Sequence, residues 1–278
     1  MSEQNQANCN GSCEGCTANC EKREQDLQLA PNAFSHVKKV IGIVSGKGGV
    51  GKSLVTASLA NAMQARGLAC GVLDADITGP SIPKSFGISG KAQSDARGLL
   101  PKESRTGVAV MSVNLLLEQE DQPVVWRGPV ISGVIGQFWQ EVAWGELDFL
   151  FVDMPPGTGD VPLTVFQRLP VDGILIVTTP QDLVGMIVRK AYHMAQMMHI
   201  PVLGLIENMS YFECPDCNEK HQIFGESRLD DFAMENGVPI LARLPLSPQT
   251  AALVDKGAIE LADDKPFAPV LDLLLGLG

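Results

Sequence analysis

Val40-Ile41-Gly42-Ile43-Val44-Ser45-Gly46-Lys47-Gly48-Gly49-Val50-Gly51-Lys52-Ser53 is the stretch that decides the fold. Its first five residues form an apolar run of the kind a buried strand makes, and Val55, Leu59, Ala62 and Met63 recur beyond it at helical spacing, predicting a helix over 54–66. Between them lies Gly-x-x-x-x-Gly-Lys-Ser, the spacing of a phosphate-binding loop. In such a loop the glycines let successive backbone N–H groups point at an anion, and the helix N-terminus adds its positive partial charge. Gly46, Lys47, Gly48, Gly49, Val50, Gly51, Lys52 and Ser53 are therefore the candidate nucleotide cradle. Lys52 is expected to reach the β- and γ-phosphates of ATP, and the Ser53 hydroxyl to ligate Mg2+.

Working outward, Cys70-Gly71-Val72-Leu73 reads as a short strand closed by Asp74-Ala75-Asp76. Asp76 stands where a carboxylate can orient or deprotonate an attacking water. Leu147 to Val152 is a second buried strand, and Asp153 at its C-terminal end has the Walker B arrangement, in which a carboxylate holds the Mg2+ shell. The Met154-Pro155-Pro156-Gly157-Thr158-Gly159-Asp160 that follows predicts a mobile switch, with a backbone N–H near Gly157 for the γ-phosphate. Further strands are predicted at 107–113 and 202–206, a strand with a polar end over 173–180, and helices over 130–142 and 183–198. Met186, Met194, Met197 and Met198 of the last helix read as a core stripe. Residues 79–105, rich in glycine and proline, read as a connection with little regular structure. Residues 267–278, apolar and without basic residues, read as a docking helix.

Strands alternating with helices from 40 to 245 require right-handed crossovers. The expected fold class is α/β: a doubly wound, mostly parallel sheet with helices on both faces. Ligands of such a sheet bind beyond its strand C-termini. Residues 37–278 are assigned to this domain. Residues 1–36, polar and without sustained apolar periodicity, are assigned to an arm outside it.

Cysteine placement adds a second chemistry. Cys9, Cys13, Cys16 and Cys20 fall within twelve residues of the arm, separated by glycines and small polar residues. Four thiolates on flexible backbone can wrap a cubane iron–sulfur cluster or a zinc ion. Cys214-Pro215-Asp216-Cys217 is a second pair, which cannot complete a metal site alone. A two-fold dimer bringing four thiolates around one cluster, zinc completed by His221 and a distant ligand, and a redox disulfide are the three readings of that pair.

The chain has 278 residues, 45% of them hydrophobic, enough to bury a core without covalent staples. Twenty-one basic against thirty-two acidic side chains leave a net charge of −11, which argues against nucleic-acid or anionic-membrane partners. The sequence from Met1 to Gln6 has neither the basic nor the apolar part of a secretory signal, and no apolar run approaches the roughly 18 residues that span a bilayer. A cytoplasmic protein is expected, its thiols kept reduced.

These motifs together resemble the Mrp/ApbC-type iron–sulfur cluster carrier ATPases, a P-loop class related to MinD, ParA and the nitrogenase iron protein. The resemblance spans 38 to about 265. It rests on Gly46 to Ser53 with its second lysine, Asp74 to Ser81, Trp126-Arg127-Gly128-Pro129, Asp153 to Asp160, and Glu207-Asn208-Met209-Ser210 followed by the Cys-Pro-x-Cys. It implies a homodimer or related heterodimer with ATP at the interface, where Lys47 crosses to the partner's nucleotide and Asn208 contacts adenine. It also implies a labile [4Fe–4S] cluster bridged by Cys214 and Cys217 of both subunits, passed on to apo-proteins. The four-cysteine arm resembles that of the eukaryotic cytosolic cluster scaffolds, in a more compact spacing, and implies a second cluster. The competing expectation is a ParA/MinD-like ATP-dependent positioning switch with structural zinc; a third is an electron-transfer reductase like the nitrogenase iron protein.

Overall fold

The computed structural model describes residues 28–76, 79, 81–117, 128–181 and 184–277. Cys9, Cys13, Cys16, Cys20, Trp126 and Arg127 lie outside the described residues. In chain order the elements are β1 (Ser35–Ser45), α1 (Lys52–Gln64), β2 (Cys70–Asp74), α2 (Ile82–Ser85), β3 (Gln93–Asp95), β4 (Gly98–Leu100), β5 (Lys102–Glu103) and β6 (Ala109–Ser112). Then follow α3 (Gly128–Glu141), β7 (Gly145–Asp153), α4 (Asp160–Arg168), β8 (Gly173–Thr178), α5 (Val184–Met197), β9 (Val202–Glu213), β10 (Lys220–His221), α6 (Leu229–Asn236), β11 (Ile240–Pro245), α7 (Pro248–Asp255) and α8 (Ala268–Leu275).

Nine strands form one sheet in the order β10-β9-β8-β1-β7-β2-β6-β5, with β11 on the other side of β9. All neighbours are parallel except the end strands β5 and β10, which run antiparallel to theirs. Side chains alternate between two cores as the pleat requires. Val40, Val44, Leu150, Val152, Ile174 and Ile176 pack under α3, α4 and α5. Ile41, Ile43, Phe149, Phe151, Leu175 and Val177 pack under α1 and α8. Both faces are covered, so the strands carry continuous apolar runs. This is the doubly wound sheet that the strand–helix alternation predicts. The tail helix α8 buries Val270, Leu271 and Leu274, as the docking reading expects.

Four expectations are corrected. The segment 79–105 holds α2, the β3–β4 hairpin and β5 rather than an irregular connection; these pieces are two to four residues long, too short for periodicity to register. Strand β9 continues through Asn208 to Glu213 instead of stopping at Ile206, so Cys214 begins a turn between β9 and β10, and His221 lies on a strand. The methionines of α5 do not form one stripe. Met194 is buried, but Met186 and Met197 are 57% and 69% exposed; eleven residues apart, they stand roughly three whole turns from each other on the outer side. Finally, chain preceding residue 37 packs on the domain. Leu29 donates its N–H to the Arg168 carbonyl at 2.8 Å and accepts from the Trp139 indole at 2.8 Å, and β1 begins at Ser35.

Candidate nucleotide site and cysteine hairpin

The C-terminal ends of β1, β2 and β7 meet at one place because their registers align. Asp153 pairs with Ile43 on one side and with Asp74 on the other. The loop from Gly46 rises out of β1 and enters α1 at Lys52, turning through left-handed conformations at Gly49 (φ 80°) and Gly51 (φ 83°) that only glycine adopts without strain. Gly46 is glycine for a different reason: a Cβ there would lie 1.4 Å from the Ile187 side chain on α5.

Asp153 is fully buried. It accepts the Ser53 hydroxyl at 2.6 Å and the Thr56 hydroxyl at 2.8 Å, and its Oδ1 stands 2.7 Å from the Lys52 ammonium. The Lys52 side chain is only 5% exposed, with Asp76 at 3.8 Å. Its Nζ is held in a close ion pair with Asp153 and makes no well-directed hydrogen bond. A buried ammonium with three undirected donors at a glycine loop suits an anionic group such as a phosphate. The Ser53 hydroxyl beside the Asp153 carboxylate offers the hard oxygens that suit Mg2+.

Asp74, at the end of β2, accepts from the Ser112 hydroxyl at 3.1 Å and from the Asp76 N–H at 3.2 Å. Complete burial, and then the charge of Asp153, push its carboxyl well above the ordinary range, against the pull of Lys52. Gly157 adopts φ 95° and donates its N–H to the Ser45 carbonyl at 2.9 Å, which places the segment after β7 against the start of the loop. Lys47 is partly exposed and donates to the Gln181 side chain just past the end of β8.

Asn208 is 2% exposed. Its amide donates to the Val50 carbonyl at 2.9 Å, from one wall of a cleft of about 430 Å³ lined by Leu54, Met209, Leu244, Leu246 and Phe267. The cleft opens beside the loop and is apolar enough for a flat heterocycle.

Five residues beyond Asn208's neighbour Met209, just past the end of the same strand, Cys214 begins the turn. The turn 214–219 is closed by Asn218 N–H donating to the Cys214 carbonyl at 2.8 Å and Cys214 N–H to that of Glu219 at 3.0 Å. Backbone N–H groups of Cys217 and Asp216, together with the Cys217 thiol, hold the Cys214 thiol below its usual range. Both are free thiols, Cys217 exposed and Cys214 partly so. Among the described residues no three His, Cys, Asp or Glu side chains converge on a metal position, so the zinc site with His221 is not assembled there.

The structure thus gathers Gly46 to Ser53, Asp76, Asp153, Gly157 and Asn208 at one end of the sheet, and sets Cys214 and Cys217 apart on the hairpin. Sequence reading assigned no role to Asp74, Thr56 or Gln181. The signal for Thr56 was one helical turn after Lys52, on the face toward Asp153. That for Asp74 was a carboxylate continuing an apolar strand.

The family model described as NUBPL iron-transfer P-loop NTPase, within the ParA group, matches residues 36–273. An iron–sulfur cluster carrier protein of Methanocaldococcus jannaschii is 45% identical over 260 residues, covering 90% of this chain and 89% of that protein. One from Clostridium perfringens is 42% identical over 268 residues, covering 90% and 94%. A nucleotide-binding protein from Archaeoglobus fulgidus, solved in complex with ADP, superposes with a TM-score of 0.74 at 41% identity over 87% of this chain and 92% of that one. With its phosphate loop, its paired strand-end carboxylates and a match that runs through nearly the whole sheet, the chain belongs to the iron-transfer P-loop NTPase family of the ParA group.

Proposed function

We propose that the chain is an ATP-hydrolysing carrier of iron–sulfur clusters that works as a dimer and passes a [4Fe–4S] cargo to apo-proteins in the cytoplasm. One observation carries the reading. Cys214 and Cys217 are accessible thiols at the tip of a hairpin whose strand also holds Asn208 against the phosphate loop, and a pair needs two more ligands that a second copy supplies. The relatives' names support a carrier over a positioning switch. No helix of the described residues is long and apolar enough to cross a membrane.

Bound ATP with Mg2+ supplies the phosphoanhydride whose cleavage separates two states of the dimer. Around it, Lys52 neutralises phosphate charge, the Gly46 to Gly51 backbone cradles it, and Ser53 and Asp153 would hold the cation. Asp76 orients the attacking water, and Lys47 leaves Gln181 to reach the partner's nucleotide. Asn208 and its cleft take the adenine. Gly157 reports on the γ-phosphate by exchanging its bond with Ser45. Cys9, Cys13, Cys16 and Cys20 hold a second cluster.

The test is anaerobic iron and sulfide analysis with visible and EPR spectra, on the natural chain and on the Cys214→Ala/Cys217→Ala variant. About four iron and four sulfide per cluster are expected, with part of the signal lost in the variant and the remainder held by the arm. Stoichiometric zinc without sulfide, persisting after anaerobic reconstitution, would overturn the carrier reading in favour of the positioning switch.

A further inference from the structure

Next to Asn208 on β9 sits Glu207, a carboxylate that is 1% exposed and has no place in the nucleotide chemistry described above. Successive strand residues face opposite sides. Asn208 meets the phosphate loop, and Glu207 meets the chain that returns from the cysteine hairpin. The Glu207 carboxylate accepts the Ser210 hydroxyl at 2.5 Å, the hydroxyl of Ser227, and Arg243 Nε at 3.2 Å. Arg243 also reaches Asp230 at 2.6 Å, and the Ser227 hydroxyl accepts the N–H of Leu229 at 3.1 Å, where α6 begins. One carboxylate therefore joins three pieces: β9 beyond Asn208, the return segment ending at Ser227, and β11.

The backbone at this joint is irregular. Met209 holds a left-handed φ of 55°, costly for a residue with a Cβ, and the pairing of β9 with β11 slips between Arg243 opposite Glu207 and Pro245 opposite Tyr211. The return segment also has room. Cavities of about 390 and 930 Å³ both include Glu207 and Ser227 in their walls, so Ser227 can shift without overpacking a filled core. A buried carboxylate is costly unless fully bonded, so the cluster has few arrangements available to it, and those are discrete.

We infer that Glu207 is the positioning residue through which the nucleotide site sets the arrangement of the Cys214/Cys217 hairpin. Movement of the phosphate loop is felt by Asn208 through the Val50 carbonyl. Glu207, fixed to the same stretch of backbone, passes it to Ser227 and the returning chain. The inference rests on the proposed function only for the hairpin's purpose, and its test is run without metal so that the two fail separately.

On the metal-free full chain, the alkylation rates of Cys214 and Cys217 by iodoacetamide are measured by peptide mass spectrometry without nucleotide, with ADP, and with a non-hydrolysable ATP analogue. Nucleotide is expected to change the rates by about five-fold or more in the natural chain, as a coupling of ordinary size would. In Glu207→Gln that ratio collapses to within about two-fold while nucleotide affinity stays near that of the natural chain. A merely structural role would alter the basal rate and leave the ratio. Ser227→Ala, which removes one arm of the joint, is the second variant and is expected to weaken the ratio in the same direction. Rates indifferent to nucleotide in the natural chain, or a full ratio in both variants, would overturn the inference. Cluster loading, measured separately on the same variants, belongs to the carrier reading alone.

Discussion

The Asn208 amide donates to the Val50 carbonyl at 2.9 Å, so the strand that ends beside the cysteine pair is tied directly to the phosphate-binding loop. That bond is buried, and an ideal Cβ on Gly51 would fall 2.1 Å from the same amide nitrogen, which shows how tightly Asn208 is seated. Asn208→Ala removes the bond and leaves the Val50 carbonyl to find water. A net loss of about 1 kcal/mol is expected, read as a roughly five-fold weaker affinity for a fluorescent ADP analogue. An unchanged affinity would show that the seat is not part of nucleotide binding.

Asp153 is the hub of the site, and its removal tests the buried ion pair. Asp153→Ala strands the Lys52 ammonium, already 5% exposed and without a well-directed hydrogen bond, in a pocket with Asp76 3.8 Å away. Breaking a buried pair from one side costs about 3–5 kcal/mol. Urea denaturation should report that loss, and ATP hydrolysis should vanish with it. The double variant Asp153→Ala/Lys52→Met removes the stranded charge and should recover much of the stability but none of the activity.

Asp74 carries a pH signature. Burial and the neighbouring Asp153 raise its carboxyl pKa in the folded chain, so the folded state binds more protons than the unfolded state above the ordinary carboxylate range. The stability this group allows is complete below its unfolded pKa of about 4 and is lost as pH rises through the folded value. Asp74→Asn cannot ionise, and its amide oxygen can still accept the Ser112 hydroxyl. Its Tm should gain on that of the natural chain as the pH is raised, while turnover falls. A Tm difference independent of pH would show that Asp74 does not titrate in this window.

How far the sequence reaches follows from how local each feature is. The phosphate loop was legible because its chemistry lies in consecutive backbone, and Asp153 because an apolar run closed by a carboxylate marks a strand end. Asn208 was placed at the binding end of the sheet by the strand–helix alternation, and its contact with adenine came only from the family resemblance. Glu207 was out of reach, because Ser210, Ser227 and Arg243 converge on it from three, twenty and thirty-six residues away. The short strands from Gln93 to Glu103 failed for the opposite reason: at two or three residues they are shorter than any period that could reveal them.

Lys47 separates binding from turnover. Its ammonium rests on the exposed Gln181 side chain, away from the buried Lys52, so nothing in the core depends on it. Lys47→Ala should leave the Tm and the affinity for ADP close to those of the natural chain, yet abolish hydrolysis if the lysine acts across the dimer. Mixing it with a Lys52→Ala chain offers a sharper reading. Each copy then lacks a different lysine, and cross-subunit action predicts partial recovery of turnover in the mixture. Normal hydrolysis by Lys47→Ala alone would remove the lysine from the mechanism.

The glycines of the loop divide into those the fold needs and those the ligand needs, and substitution can tell them apart. At Gly51 an added methyl meets both a left-handed backbone, φ 83°, and the Asn208 amide at 2.1 Å. Gly51→Ala should therefore lose stability before any ligand is present, by about 1–3 kcal/mol for the strained backbone. At Gly48 an added Cβ has nothing within 4 Å, so the folded chain has no use for that glycine's missing side chain. Gly48→Ala should unfold at the same urea concentration as the natural chain. Any deficit must then appear only when a phosphate approaches the loop backbone, as weaker binding of ATP and ADP. If Gly48→Ala bound nucleotide normally, the close approach of phosphate would lie further along the loop, between Gly49 and Lys52.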